Sequence, residues 1–461
     1  NLAASASARA DGSYRPIEQI DLVLLGDVLD IIRSTRWLEG EVRPWDDPQS
    51  PQLAATVSNI TAEILRRNEA ALGMLRSLAQ GSIRLTPATQ MGRAATTIES
   101  IPVPVRIHYV VGNHDWFFHL PGEQYNRLRR QVAVHMGLAT ETDVPFPHEP
   151  FESNELLQAL RRHKVFARHG DVFDPINFDG VRDASSLGDV IVVELLNRFG
   201  LEVERHLAAD LPEATVLGLR EIDNIRPLLL VPVWIDGLLE RTCSSHGLRR
   251  EVSRVWDNLA DEFISHPFVR ARATWRPREL VDGLQRALKR SGRLPIGWSS
   301  GIAQWLYGLR GADSGSYSLP ALSGPDFRNR RAKHVVYGHT HTTEEVPLDS
   351  SHAEGYVLNQ TYFNAGTWRR VFQQTQLAPR EHEFIAHDTL TYLAFFQGDE
   401  RKGRPYETWT GTLGISPNEM QRLRVDPGAP VQTASPQFPA PVRAPHFSTA
   451  PSIAPTIVAG R

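Results

Sequence analysis

The feature that most constrains this chain is a strand that ends in chemistry. A strand-forming run over 105–111 stops at Gly112 and is followed at once by Asn113, His114 and Asp115. A buried strand that delivers polar groups at its carboxyl end is how open α/β sheets build sites. Asn offers a carbonyl ligand, His a proton carrier, and Asp a carboxylate that can hold the carrier still.

The pattern recurs along the chain. A strand over 20–28 reads Ile-Asp-Leu-Val-Leu-Leu and runs into Gly26-Asp27-Val28-Leu29-Asp30. Its near-continuous apolar character suits a sheet covered on both faces. Leu53, Val57, Ile60, Ile64, Leu72 and Leu75 then recur at helical spacing and predict one long helix over 52–78, ended by Gly81. Helices are expected over 123–138 and 155–162. A strand over 165–167 leads to His169-Gly170-Asp171. From 172 to 331 the period turns helical, as in Val190, Val193, Leu195, Leu196 and again in Val252, Val255, Leu259, Phe263. Strand character returns at 334–337, before Gly338-His339-Thr340-His341. It continues at 356–363, before Asn364-Ala365-Gly366-Thr367-Trp368-Arg369, and gives one or two strands over 383–396. The expected organisation is an α/β core of residues 1–171 and 332–414 and a mostly helical insertion, 172–331. Residues 415–461 are a Pro- and Ala-rich tail, too poor in apolar surface to order itself.

Composition removes several alternatives. A single cysteine, Cys243, excludes an intrachain disulfide and a thiolate metal cluster. A net charge of -3 gives no argument for nucleic acid. No apolar run approaches the roughly 20 residues of a membrane span. A cytoplasmic protein is expected, with peripheral membrane contact through the insertion as the variant reading. That variant rests on 241–293, which carries twelve Lys and Arg against six Asp and Glu. The same excess is also what a solvated helical face looks like.

Four strands therefore end in Gly-Asp-Val-Leu-Asp, Gly-Asn-His-Asp, His-Gly-Asp and Gly-His-Thr-His. Each has a glycine beside it, which lets backbone turn tightly and approach a ligand. Asp, Asn and His are oxygen and nitrogen donors for a divalent ion such as Mn, Fe, Zn or Mg. A carboxylate can bridge two such ions about 3.5–4 Å apart, an arrangement that activates water for phosphoryl displacement. His108, His119, His163 and His334 lack this context and are read as structural or exposed.

This order of words resembles the calcineurin-like metallophosphoesterase superfamily, over about 1–171 and 332–398. The Asn-Ala-Gly-Thr-Trp-Arg run is similar to the Asn-Thr-Gly-Thr-Trp-Arg strand of its bacterial members, which include UDP-2,3-diacylglucosamine pyrophosphatases. The resemblance implies a four-layer αββα sandwich and two divalent metal ions. Asp27 would bridge them, Asn113, His169 and His339 would complete the second site, and His341 would ligate the first. It also implies that His114 is the catalytic histidine, oriented by Asp115, with Asp30 supporting the ligands. Arg369 would face an anionic substrate. The reaction implied is hydrolysis of a phosphoester or pyrophosphate by a metal-activated hydroxide. Its substrate would be a phosphorylated small molecule or a nucleotide-linked one, selected by the insertion.

One family element is missing. No Asp-x-His precedes Asp27, and Asp11-Gly12-Ser13 and Asp21-Leu22-Val23 do not supply it. The first metal is left with Asp27 and His341, and two ligands do not make a tight site. Because the chain opens on Asn1 rather than Met, the missing strand is expected to precede it. The chain as it stands is expected to bind one metal well. The alternative function is a catalytically degenerate binding or scaffold protein that keeps the fold.

Overall fold

Strand Ile20–Leu25 pairs in parallel with Val105–Val110, from Ile20 opposite Val105 to Leu25 opposite Val110. The equal register brings Gly26-Asp27 and Gly112-Asn113 to the same end of the pair. The structure is a computed structural model that describes residues 1–273, 288, 316–353, 356–375 and 383–412. A second sheet runs in the order Val165–Ala167, His334–Tyr337, Tyr356–Ala365, Thr343–Ala353. Its first three strands are parallel and the last is antiparallel. Ala167 stands opposite Val336, so His169 and His339 also leave their strands side by side. Val110, Val165, Ala167, Val336 and Phe363 are buried in one apolar cluster, with Val23 and Leu25 packed against it. Both sheets thus share a core, and the site-bearing ends of both meet above it. The chain is mixed α/β, with helices around several small sheets.

Two local expectations differ from the structure. The predicted helix over 52–78 is two helices, Pro51–Arg67 and Glu69–Ala79. The break is at Asn68, whose backbone leaves the helical region (φ -109°, ψ 16°) while its N–H and its side-chain amide both bond the Ile64 carbonyl. Strand Ile20–Leu25 is only half-buried at all six positions, against the buried run of Val105–Val110. Among the described residues it pairs on one edge alone, so its second edge lacks the neighbour that its apolar sequence suits.

The described part of 172–331 is mostly helical, as its periodicity predicts. Ile191–Asn197 is wound as a π-helix and is buried at every position from Ile191 to Leu196. Val193, Leu195, Val252 and Phe263 join the same apolar cluster as Trp37, Leu53 and Trp116 of the core. The insertion is therefore packed into the core rather than hung from it. It also contributes a short strand, Ile225–Arg226, parallel to Val371–Gln374, which pairs in turn with Phe384–His387. This pairing carries Asp223, Asn224 and Arg226 to the site. The described residues belong to one compact unit. The predicted tail lies outside the described residues, as does most of the 274–315 stretch. No helix among the described residues is long and apolar enough to cross a membrane.

Candidate metal centre

Four of the predicted ligands converge. His169 Nε2 lies 3.1 Å from Asn113 Oδ1 and 3.2 Å from Asp27 Oδ2. His339 Nδ1 lies 2.9 Å from the same Asn113 oxygen and 3.3 Å from His169 Nε2. Atoms bound to one ion at about 2 Å stand about 3 Å from one another, which is the spacing found here. The surrounding bonds decide which atoms face inward. His169 Nδ1 donates to the Leu25 carbonyl at 2.9 Å, which leaves its Nε2 lone pair in the cluster. His339 Nε2 donates to Asp174 Oδ2 at 3.2 Å, which leaves Nδ1. The Asn113 amide donates to Asn177 Oδ1 at 3.2 Å, so its carbonyl oxygen faces in. Four ligand atoms meet there, an arrangement that a cation relieves. A second donor bond that fixes the imidazole is what metal-bound histidines normally make. The residues fit a divalent ion.

The backbone is shaped for this. Asp27 (φ 55°), His339 (φ 66°) and His341 (φ 61°) are three of the seven non-glycine residues at positive φ among the described residues. Such conformations are held where the surroundings over-determine them, and they cluster at functional sites. Gly26 (φ 86°) abuts the His169 ring so closely that a Cβ would enter it. A Cβ at Gly112 would strike the Asp27 carboxylate. Glycine is required at both positions by close approach.

The electrostatics follow from burial against neighbouring charge. Burial alone would raise Asp27, but His169 and His114 hold it well below the ordinary carboxylate range. Burial opposes a charged His169, yet Asp27 pushes it up to about 9. A metal would take the place of that proton.

The second half of the site departs from expectation. Asp30, not Asp115, holds the catalytic candidate: His114 Nδ1 donates to Asp30 Oδ1 at 2.6 Å. Burial disfavours the charged imidazole, but Asp30 and Asp27 raise it above the usual histidine value. Asp30 is lowered to about 2 against its burial by His114, Arg33 and Arg369. Asp115 turns back on the backbone. It accepts Gly112 N at 2.7 Å, Val28 N at 3.0 Å and the Tyr109 hydroxyl at 2.6 Å. It ties the two strand ends together and does not touch the His114 ring. Burial and Asp27 push it up to about 7.

His341 is not in the ligand cluster. Its Nδ1 accepts from Arg226 Nε at 3.1 Å, which in a neutral imidazole places the proton on Nε2 and leaves no lone pair for a metal. Burial and Arg226 hold it well below the usual histidine range. The expected ligand of the first ion is thus engaged by an arginine of the insertion. Arg369 donates to Asp30 Oδ2 at 2.8 Å and to Asn224 Oδ1 at 3.0 Å, and Arg33 lies 2.9 Å from the same Asp30 oxygen. Three guanidinium groups therefore line this flank.

Sequence reading missed Asp174, Arg33, Asp223 and Arg226. A signal existed for Asp174: Gly170-Asp171-Val172-Phe173-Asp174 repeats the spacing of Gly26-Asp27-Val28-Leu29-Asp30. No comparable signal marked Arg226, which a long-range strand pairing delivers. No protein-family model, no curated protein and no solved structure matches this chain.

Proposed function

We propose that this chain is a metal-dependent hydrolase of a phosphoester or pyrophosphate bond, built as a calcineurin-like αββα sandwich with a helical cap. The observation that carries the reading is the convergence of Asp27, Asn113, His169 and His339 beside His114. These four residues would hold one divalent ion well, and Asp27 with His341 leaves a second site short of ligands. A bound ion supplies Lewis-acid charge and lowers the pKa of water. Asp30 accepts the Nδ1 proton of His114 and favours the charged ring against its burial, so Nε2 is the nitrogen that would give a proton to the leaving oxygen. The His114 backbone N–H, donating to Asp27 Oδ1 at 2.8 Å, locks the histidine to the metal side. Arg33, Arg226 and Arg369 suit a phosphorylated small molecule or a nucleotide-linked substrate, since guanidinium groups pair with phosphate in bidentate geometry. The test is hydrolysis of an aryl phosphodiester with Mn. His114→Ala is expected to lose about 10²–10⁴ in rate with metal content unchanged. An unaltered rate removes His114 from the mechanism.

A degenerate binding protein is the second reading, and the Arg226–His341 contact favours it, because it turns away one expected ligand. That reading predicts one bound metal with phosphate binding and no turnover.

A further inference from the structure

Away from Asp27, His119, His148 and Asp183 bring three ligand atoms within 4.8 Å of one another. His119 closes the 3-10 turn Trp116–His119, directly after Asp115. Its Nδ1 donates to the Phe146 carbonyl at 2.7 Å. His148 is buried, its ring centroid 4.4 Å from that of His119 and its Nδ1 3.3 Å from the Val111 carbonyl. With both Nδ1 protons held on carbonyls, both Nε2 lone pairs are left as ligands. The Nε2 of His148 is buried without a hydrogen-bond partner. The Nε2 of His119 lies 3.8 Å from Asp183 Oδ1, on a half-exposed side chain that leaves the cluster open to solvent.

Arg182 NH1 approaches His148 Nδ1 at 3.2 Å and offers the opposite tautomer. That tautomer would put a proton on Nε2, where no acceptor stands. Arg182 does not need the imidazole: NH1 lies 3.0 and 3.1 Å from the Asp171 carboxylate oxygens, and NH2 lies 3.2 Å from Glu149. A cation on Nε2 fixes the Nδ1–H tautomer and satisfies that buried nitrogen of His148.

We propose that His119, His148 and Asp183 form a second divalent-cation site, of zinc type, which fastens the start of the helical insertion to the strand end that carries Asn113 and His114. Two imidazoles and one carboxylate with an open fourth position are a zinc ligand set. An Nδ1–H bonded to a carbonyl is the usual orienting contact of a metal-bound imidazole. Val111, whose carbonyl faces His148, immediately precedes Gly112-Asn113, and Asp183 lies in the loop before helix Leu187–Val190. The site therefore couples the two segments by one ion.

The test uses the full chain with Asn113→Ala and His169→Ala, so that the Asp27 centre does not compete, titrated with zinc by calorimetry. One equivalent is expected to bind, and Co is expected to give a four-coordinate absorption spectrum. Asp183→Asn and His119→Gln each weaken zinc by at least about tenfold. Asp183 is half-exposed, so its variant keeps the fold. In the chain without the two alanines, Asp183→Asn lowers bound zinc by one equivalent. No bound zinc in the alanine background, or affinity and zinc content unmoved by both variants, overturns the proposal.

Discussion

The two flanks of Asp27 are built with opposite chemistry. On one, Asn113, His169 and His339 turn acceptor atoms inward, each fixed by a bond from its other end. On the other, Arg33, Arg226 and Arg369 turn donors inward, and a carboxylate and an imidazole already accept from them. A set of acceptors with no donor is satisfied by a cation, and a set of arginines by an anion. One carboxylate at the seam can therefore serve a metal on one side and a phosphate on the other. The difference also shows which expected residues come together: Asn113, His169 and His339 meet on the acceptor flank, while His341 is taken up by Arg226 on the other.

The comparison is most easily broken at His169. His169→Ala should weaken Mn binding by more than about 100-fold, more than loss of an outer partner, and abolish hydrolysis with it. Full metal loading in that variant would dissolve the acceptor flank. Next, Asp30→Ala and Asp115→Ala separate orientation from scaffolding. Asp30→Ala should lower kcat by about 10–100-fold at an unchanged melting temperature. Asp115→Ala should instead lose about 1–3 kcal/mol of stability, because three donors are left without their acceptor. Equal kinetic losses in the two would return the orienting role to Asp115. Arg226→Met tests the arginine flank. It should weaken inorganic phosphate by about tenfold, as expected for one charge-assisted bond, and free His341 so that the metal held at the Asp27 centre rises above one ion. Unchanged phosphate affinity and metal content would mean that Arg226 only packs.

The smallest effect on activity belongs to His334, which lies between the sheets against Phe363, Phe395 and Tyr406. Burial and Lys333 lower it to about 4. A base with a depressed folded pKa contributes stability that is complete above its unfolded value near 6.5. The contribution is lost as pH falls toward 4, by about 3 kcal/mol in all. His334→Phe should flatten that part of the stability curve and leave the rate untouched. A curve identical to the parent's would show that His334 titrates normally.

How much of this could be read beforehand depends on sequence distance. Asp27, Asn113, His169 and His339 were legible because each stands within three residues of a strand end, and parallel strands bring such ends together. Asp115 was misread because adjacency to His114 in the chain is not adjacency of side chains. Its carboxylate folds back three residues to Gly112, while Asp30 reaches the imidazole from the other strand. Arg226 could not be read at all. It reaches His341 because Ile225–Arg226 pairs with Val371–Gln374, nearly 150 residues away, and two-residue strands leave no periodicity.

The left-handed backbone at Asp27, His339 and His341 sets stability against function. A side chain in that region carries a penalty of about 1 kcal/mol or more that glycine escapes. Asp27→Gly would relax that backbone, but it would also leave the His114 N–H and the His169 imidazole without the carboxylate they face. Backbone strain and side-chain pairing therefore oppose each other at this one position, and any screen for thermostable variants of this chain has to score metal binding beside melting temperature.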